Sequence, residues 1–152
     1  TKLGLTNRTP EDIALIQDFL TVMANGEADF TLTFRALSEA AETPDKEPEL
    51  RALFTETVPL DDWLARWRQR LEKESRTASQ IATAMRSANP VIIPRNHQIE
   101  AAIKAAVSSN DLGPFHRLVD ELARPFDDRP GIDDLKLPPK PEEIVHATFC
   151  GT

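Results

Sequence analysis

The sequence predicts a mostly α-helical protein. Three observations carry this. Apolar residues recur at a period near 3.6 rather than 2, capping residues and prolines stand where helices would begin and end, and no strand–turn–strand pattern occurs. About six helices are expected over residues 1–124, read as one helical domain, followed by a long, irregular, proline-rich tail over 125–152.

The elements follow in order. In RTPEDIALIQDFLTVMANG, Thr9 is placed as N-cap, Pro10 at the first helical position, Glu11 and Asp12 in the first turn, and Asn25-Gly26 at the stop. Ile13, Ile16, Phe19/Leu20 and Met23 are taken as the inward face. Asp29 caps a second helix, in which Phe30, Phe34, Leu37 and Ala41 point to the core. After the polar turn TPDKEP, a short helix packs through Leu50, Leu53 and Phe54, and Pro59 ends or offsets it. From Leu60, the stripe Trp63/Leu64, Trp67, Leu71 describes one long helix with a candidate break at SRTAS, resumed in QIATAMRSAN and stopped by Asn89-Pro90.

The stretch NPVIIPRNH lies between two prolines and holds three consecutive β-branched residues, so it reads as a short, buried, extended connector. Asn96 is expected to cap the next helix, with Ile99, Ile103, Ala106 and Val107 inward. A last helix turns Phe115, Leu118, Val119 and Leu122 inward and stops at Pro125. The remainder holds five of the twelve prolines and no helical period, which is why it reads as a loosely held tail. Fully extended it would reach about 90 Å, against a radius of gyration of about 15 Å for a compact domain of this length.

Composition narrows the function classes. An apolar share of 40% and a charged share of 28% suit a globular chain, and no apolar run is long enough for a membrane span. The net charge of −7 works against binding a phosphate backbone. The best basic cluster, Arg66, Arg68 and Arg70, fans around a helix and is followed by Glu72 and Glu74, so it reads as a solvated face rather than a nucleic-acid patch. Neither nucleic acid nor membrane is expected as a partner. Cys150 is the only cysteine, so no internal disulfide forms and a reducing, cytoplasmic compartment is the expectation. The chain opens at Thr1 without a signal-peptide pattern and reads as part of something longer.

Few residues invite chemistry. His97, His116 and His146 are far apart and none has a metal-ligand spacing; His146 and Cys150 alone supply too few donors, so no metal is expected. In an extended tail those two also lie about 13 Å apart, too far for a Cys–His nucleophile pair. The five glycines are never clustered, so no phosphate-cradling loop is present and no cofactor is expected on this chain. Trp63 and Trp67 read as core rather than as a binding platform. Arg95, Asn96 and His97 stand together at a helix start, where anions bind; capping and packing of the connector is the preferred role.

Four stretches in this order, KLGL, ADFTLTFRALSEA, NPVIIPRNHQIEAAI and the terminal TFCGT, resemble the C-terminal part of the selenoprotein O family, and PFHRLVDELARPFDDRP fits the same pattern. The resemblance implies a protein adenylyltransferase on a kinase-like (pseudokinase) fold, which binds ATP in an inverted orientation with magnesium and moves AMP onto hydroxyls of protein substrates. The family's glycine-rich loop, phosphate-contacting Lys and Arg, and metal-binding Asn and Asp lie upstream of KLGL. The resemblance therefore implies no catalytic residue here, an inactive chain when isolated, and an upstream kinase-like domain of the same protein as its partner. Only Cys150 carries over, standing where the family has selenocysteine or cysteine, which implies a redox role. His146 stands where an aromatic is expected. Two other readings are a stand-alone helical interaction module with a docking tail and a small thiol-dependent redox enzyme; the latter lacks a resolving cysteine and a cation to favour thiolate.

Overall fold

A computed structural model describes residues 1–6 and 9–145. Its elements are α1 (Pro10–Asn25), α2 (Phe30–Glu42), α3 (Glu47–Arg51), α4 (Val58–Leu71), α5 (Ala78–Arg86), α6 (Asn96–Ser109), α7 (Gly113–Leu122) and α8 (Asp133–Lys136). Single 3-10 turns occupy Pro44–Lys46 and Pro141–Glu143, and no strand occurs among the described residues. The mostly α prediction holds. Among the described residues eight helices replace the expected six or so, because the long helix breaks at its weak point before Thr77 and a short one, α8, forms beyond Pro125. At the cut, Thr77 Oγ1 accepts from the Gln80 amide at 3.3 Å and Gln80 Oε1 accepts from the Thr77 amide at 3.0 Å, which starts α5 afresh.

The chain forms two compact units, Thr1–Pro90 and Val91–Thr152. In the first, α2 packs on α5 and α1 on α4. Its core is built around Phe19, Trp63 and Trp67, all fully buried. Phe19 stacks on Trp63 with ring centroids 4.0 Å apart, and Trp63 on Trp67 at 5.7 Å. Each indole N–H has a buried backbone acceptor: Trp63 donates to the Leu15 carbonyl at 2.8 Å and Trp67 to that of Leu3 at 2.9 Å. The tryptophan pair is therefore core, as read.

The face assigned to α1 is corrected in part: Phe19 and Met23 are buried as read, but Ile13, Ile16 and Leu20 are not. Leu15, Phe19 and Met23, together with Asp12, turn inward, while Ile13 is 61%, Ile16 43% and Leu20 43% exposed. This helix carries two apolar stripes, and the Trp63 indole fixes which one is buried by bonding the Leu15 carbonyl. In α2, Phe34, Leu37 and Ala41 are inward as expected, whereas Phe30, in the first turn, is 51% exposed.

The second unit has a small core of Val91, Ile92, Ala102, Leu118, Ile132 and Leu135. The connector is extended and buried as predicted; the Val91 amide donates to the Pro125 carbonyl at 2.7 Å. Two expectations are corrected. On α7 Leu118 is buried as expected, but on α6 the buried position is Ala102, and Ile103, Val107, Phe115 and Val119 are half-exposed or more. The segment after Pro125 is not loose through its first half: Ile132 and Leu135 enter this core as fully as the connector residues do. Ion pairs hold it there. Arg117 grips Asp134 through two bonds of 2.7 Å, Arg129 Nε bonds Glu121 at 3.0 Å, and Lys136 bonds Asp128 and Asp133. A segment without helical period can still be anchored by two apolar side chains, since burying each contributes about 1.5–3 kcal/mol.

Candidate functional site

Three places carry the side chains that matter. The first is the start of α6. Arg95, and not Asn96, is the N-cap, and it makes no side-chain capping bond; Asn96 is already the first helical residue. Arg95 is buried and donates from Nη2 to the Lys136 carbonyl at 2.9 Å, while Gln98 Nε2 reaches the Asp134 carbonyl at 3.3 Å. These bonds tie α8 to α6, so Arg95 acts in packing. His97 lines an open groove of about 560 Å³ along α6 with Glu100, Ile103, Lys104, Glu143 and Val145. Val145 is the last described residue before the segment that bears His146 and Cys150; both of those lie outside the described residues.

The second is a buried ionic cluster in the first unit. Asp12 receives Arg70 Nε at 2.7 Å and the Thr9 amide at 2.9 Å, and Arg70 Nη1 bonds Glu74 at 2.9 Å. Glu74 also takes the Thr6 amide at 3.2 Å and the Thr6 hydroxyl, and Arg76 bonds the Gly4 carbonyl. The Arg70 guanidinium holds the Asp12 carboxyl below the usual range, with the Thr9 amide adding to it against the cost of burial. For Glu74, burial pushes upward, yet bonds from Thr6 and Arg70 outweigh it and the net direction is down. The expectation of a solvated arginine face is thus corrected at Arg70, which is nine-tenths buried; Arg66 pairs with Asp18 at 2.7 Å and Arg68 with Glu47 at 2.7 Å. The charges converge because Arg70 and Glu74 continue the Trp63, Trp67 stripe of α4, while Asp12 continues the Leu15, Phe19, Met23 stripe of α1. That extension of an apolar stripe into charge is the sequence signal that was missed.

The third is Asn89, fully buried at the end of the first unit. Its Nδ2 donates to the Lys2 carbonyl at 3.0 Å and to Ser38 Oγ at 3.1 Å; its Oδ1 accepts from Lys2 Nζ at 3.3 Å. Ser38 Oγ donates in turn to the Phe34 carbonyl at 2.8 Å, and Arg35 reaches the Asn89 carbonyl at 3.5 Å. From the sequence, Asn89 reads only as a helix stop, since nothing local distinguishes a buried hub from a terminal cap.

The family model described as Protein adenylyltransferase SelO matches residues 1–123. This chain belongs to the SelO family. A protein nucleotidyltransferase YdiU of Rhodopseudomonas palustris is 51% identical over 151 residues, which cover 99% of this chain and 31% of that protein. The corresponding proteins of Rhizobium meliloti and a Bradyrhizobium species are 49% and 52% identical over the same length, with 31% and 30% of each relative covered. This SelO-family chain thus spans about 31% of the length of the relatives it matches.

Seen within that family, three of the stretches that carry the resemblance meet at one place: Lys2 of KLGL, Arg35 and Ser38 of TFRALS, and Asn89 of NPVIIPRNH. Their bonds hold the chain's start against α2 and the end of α5. A magnesium nucleotide needs carboxylates free to ligate and amides free to cradle phosphate. The buried carboxylates among the described residues are Asp12 and Glu74, and both are occupied by Arg70. No group of three or more His, Cys, Asp or Glu gathers at metal-binding geometry among the described residues. The two buried carboxylates are thus engaged within the chain. No helix is long and apolar enough to cross a membrane among the described residues.

Proposed function

We propose that this chain is the helical C-terminal region of a protein adenylyltransferase, an enzyme that moves AMP from ATP onto protein hydroxyls. The observation that carries this reading is the family match over residues 1–123 joined to a span of about 31% of each relative. The remaining length of the parent is where the kinase-like catalytic domain, the ATP and magnesium sites and the contacts to protein substrates belong. The role of this chain is structural and regulatory. Its polar residues support that, because the arginines and acids of its interior are spent on one another rather than left facing a ligand.

The regulatory part falls to Cys150. Under oxidation its thiol and an upstream cysteine of the parent would form a disulfide, giving two electrons and two protons to an oxidant of the disulfide or peroxide class. Such a bond would hold an element of the catalytic domain and release it on reduction, in a cytoplasmic setting. AMP transfer by the longer protein, measured with labelled ATP with and without a thiol reductant, tests both parts. The parent is expected to transfer AMP, the 152-residue chain alone to transfer none, and Cys150→Ser to remove the response to reductant while keeping ATP binding. A parent without AMP transfer overturns the reading; an unchanged response to reductant in Cys150→Ser overturns the redox part.

An independent interaction module is the second reading, and the exposed Ile13, Ile16 and Leu20 stripe favours it. A reading frame that encodes no nucleotide-binding region before Thr1 would decide for it.

A further inference from the structure

Helix α1 is apolar on two sides. One side, Leu15, Phe19 and Met23, fills the core of the first unit; the other, Ile13, Ile16 and Leu20, is exposed. A helix apolar on both sides is characteristic of a buried position, whereas a surface helix turns a polar face to water. The outer stripe does not stand alone. With Phe30, Leu5 and the chain's first residues it lines a groove of about 630 Å³, floored by Leu3, Phe19 and Phe34. Lys2 stands on its rim, with Nζ 5.8 Å from the Phe30 ring centroid and 5.5 Å from that of Phe34. Contiguous exposed apolar surface of this kind, rimmed by polar groups, marks an interaction site.

We infer that this groove seats the polypeptide directly preceding Thr1 in the parent protein. The inference rests on the proposed reading of this chain as the C-terminal region of a longer enzyme, and it names the surface that would receive the rest. Three observations choose this occupant. Thr1 and Lys2 themselves line the groove, so the residue before Thr1 begins within one Cα–Cα step, about 3.8 Å, of it. The relatives extend well beyond the matched part, which covers only 31% of their length, so chain is available to fill the groove. A tethered segment meets its site at an effective concentration in the millimolar range, and modest apolar burial then suffices to hold it. Lys2 is itself fixed by Ala88 and Asn89, so the departing chain is aimed rather than free to swing.

The test compares the 152-residue chain with the full-length parent. Ile16→Cys and, as a control on the exposed start of α4, Val58→Cys are made in a Cys150→Ser background, and alkylation at each position is followed by mass spectrometry. Position 16 is expected to react at least ~10-fold more slowly in the parent than in the shorter chain, with position 58 unchanged between them. Oxidative footprinting of Phe30, which needs no substitution, should show the same protection. Equal rates at position 16 in both proteins overturn the inference, as does protection in the shorter chain that disappears on dilution, which would assign the groove to a second copy. A parent that transfers AMP while position 16 stays accessible defeats the groove assignment alone; a parent with position 16 protected but without AMP transfer defeats only the functional reading. A reading frame with no residues before Thr1 defeats both.

Discussion

The side-chain amide of Asn89 donates to the backbone carbonyl of Lys2 at 3.0 Å, although the two residues are 87 apart in sequence. One buried amide thereby closes the first unit, joining its first turn to its last. The same amide bonds Ser38 of α2, so three separate parts of the chain share one donor group.

Asn89→Ala would leave the Lys2 carbonyl without this donor and Ser38 Oγ without its amide partner. A buried polar group deprived of its partner costs about 1–3 kcal/mol. Urea unfolding should show a loss of that size with the slope of the transition unchanged, while Ser87→Ala, at a neighbouring exposed site, should be close to neutral.

Gly4 has φ +79°, and a Cβ added there would stand 2.6 Å from Ile81 Cγ2 and 3.1 Å from Met85 Sδ. Both a strained backbone and an overfilled core follow from Gly4→Ala, with a cost of about 1–3 kcal/mol. Thermal unfolding followed by circular dichroism checks this. An unchanged midpoint would mean that the turn relaxes away from α5.

Asp12 and Glu74 both have carboxyls lowered by their partners, Arg70 chief among those of Asp12. A group with a depressed folded pKa contributes stability above its unfolded value, about 3.9 for Asp and 4.3 for Glu, and loses it as pH falls through the folded value. Stability of the first unit should therefore hold at neutral pH and fall as acid is added below about pH 4. Arg70→Met removes the shared cation and leaves two buried carboxylates, a loss of about 3–5 kcal/mol at pH 7. Without the cation that lowers those carboxyls, the variant's deficit relative to the unaltered chain, read by urea unfolding followed by tryptophan fluorescence from Trp63 and Trp67, should be largest at neutral pH and shrink as the pH falls through the carboxylate range.

Ile132 anchors the segment after Pro125 in the core of the second unit. Ile132→Ala is expected to cost that unit about 2–4 kcal/mol. Limited proteolysis should then cut between Pro125 and Lys136 in the variant and spare that stretch in the unaltered chain. Equal cutting in both would show that the burial does not hold the segment.

Most helices and several of their ends were legible in the sequence because their causes are local. Thr9-Pro10, Asp29, and the proline-bracketed connector each act on backbone within one turn, and each is found where it was read. The aromatic stripe of α4 was legible too, since Trp63 and Trp67 are too large to be indifferent to burial. The choice of face on α1 was not. Its two apolar stripes are equivalent to any periodicity argument, and only the position of the Trp63 indole and of Arg70 decides between them. The anchoring of Ile132 and Leu135 was hidden for a related reason: a pair of apolar residues has no period, and its burial depends on a surface made by α6, α7 and the connector. Asn89 shows the same division in one residue. Its place before a proline determined that a helix ends there, but its role as a hub was set by the Lys2 carbonyl and Ser38, which reach it only once the chain has folded back on itself.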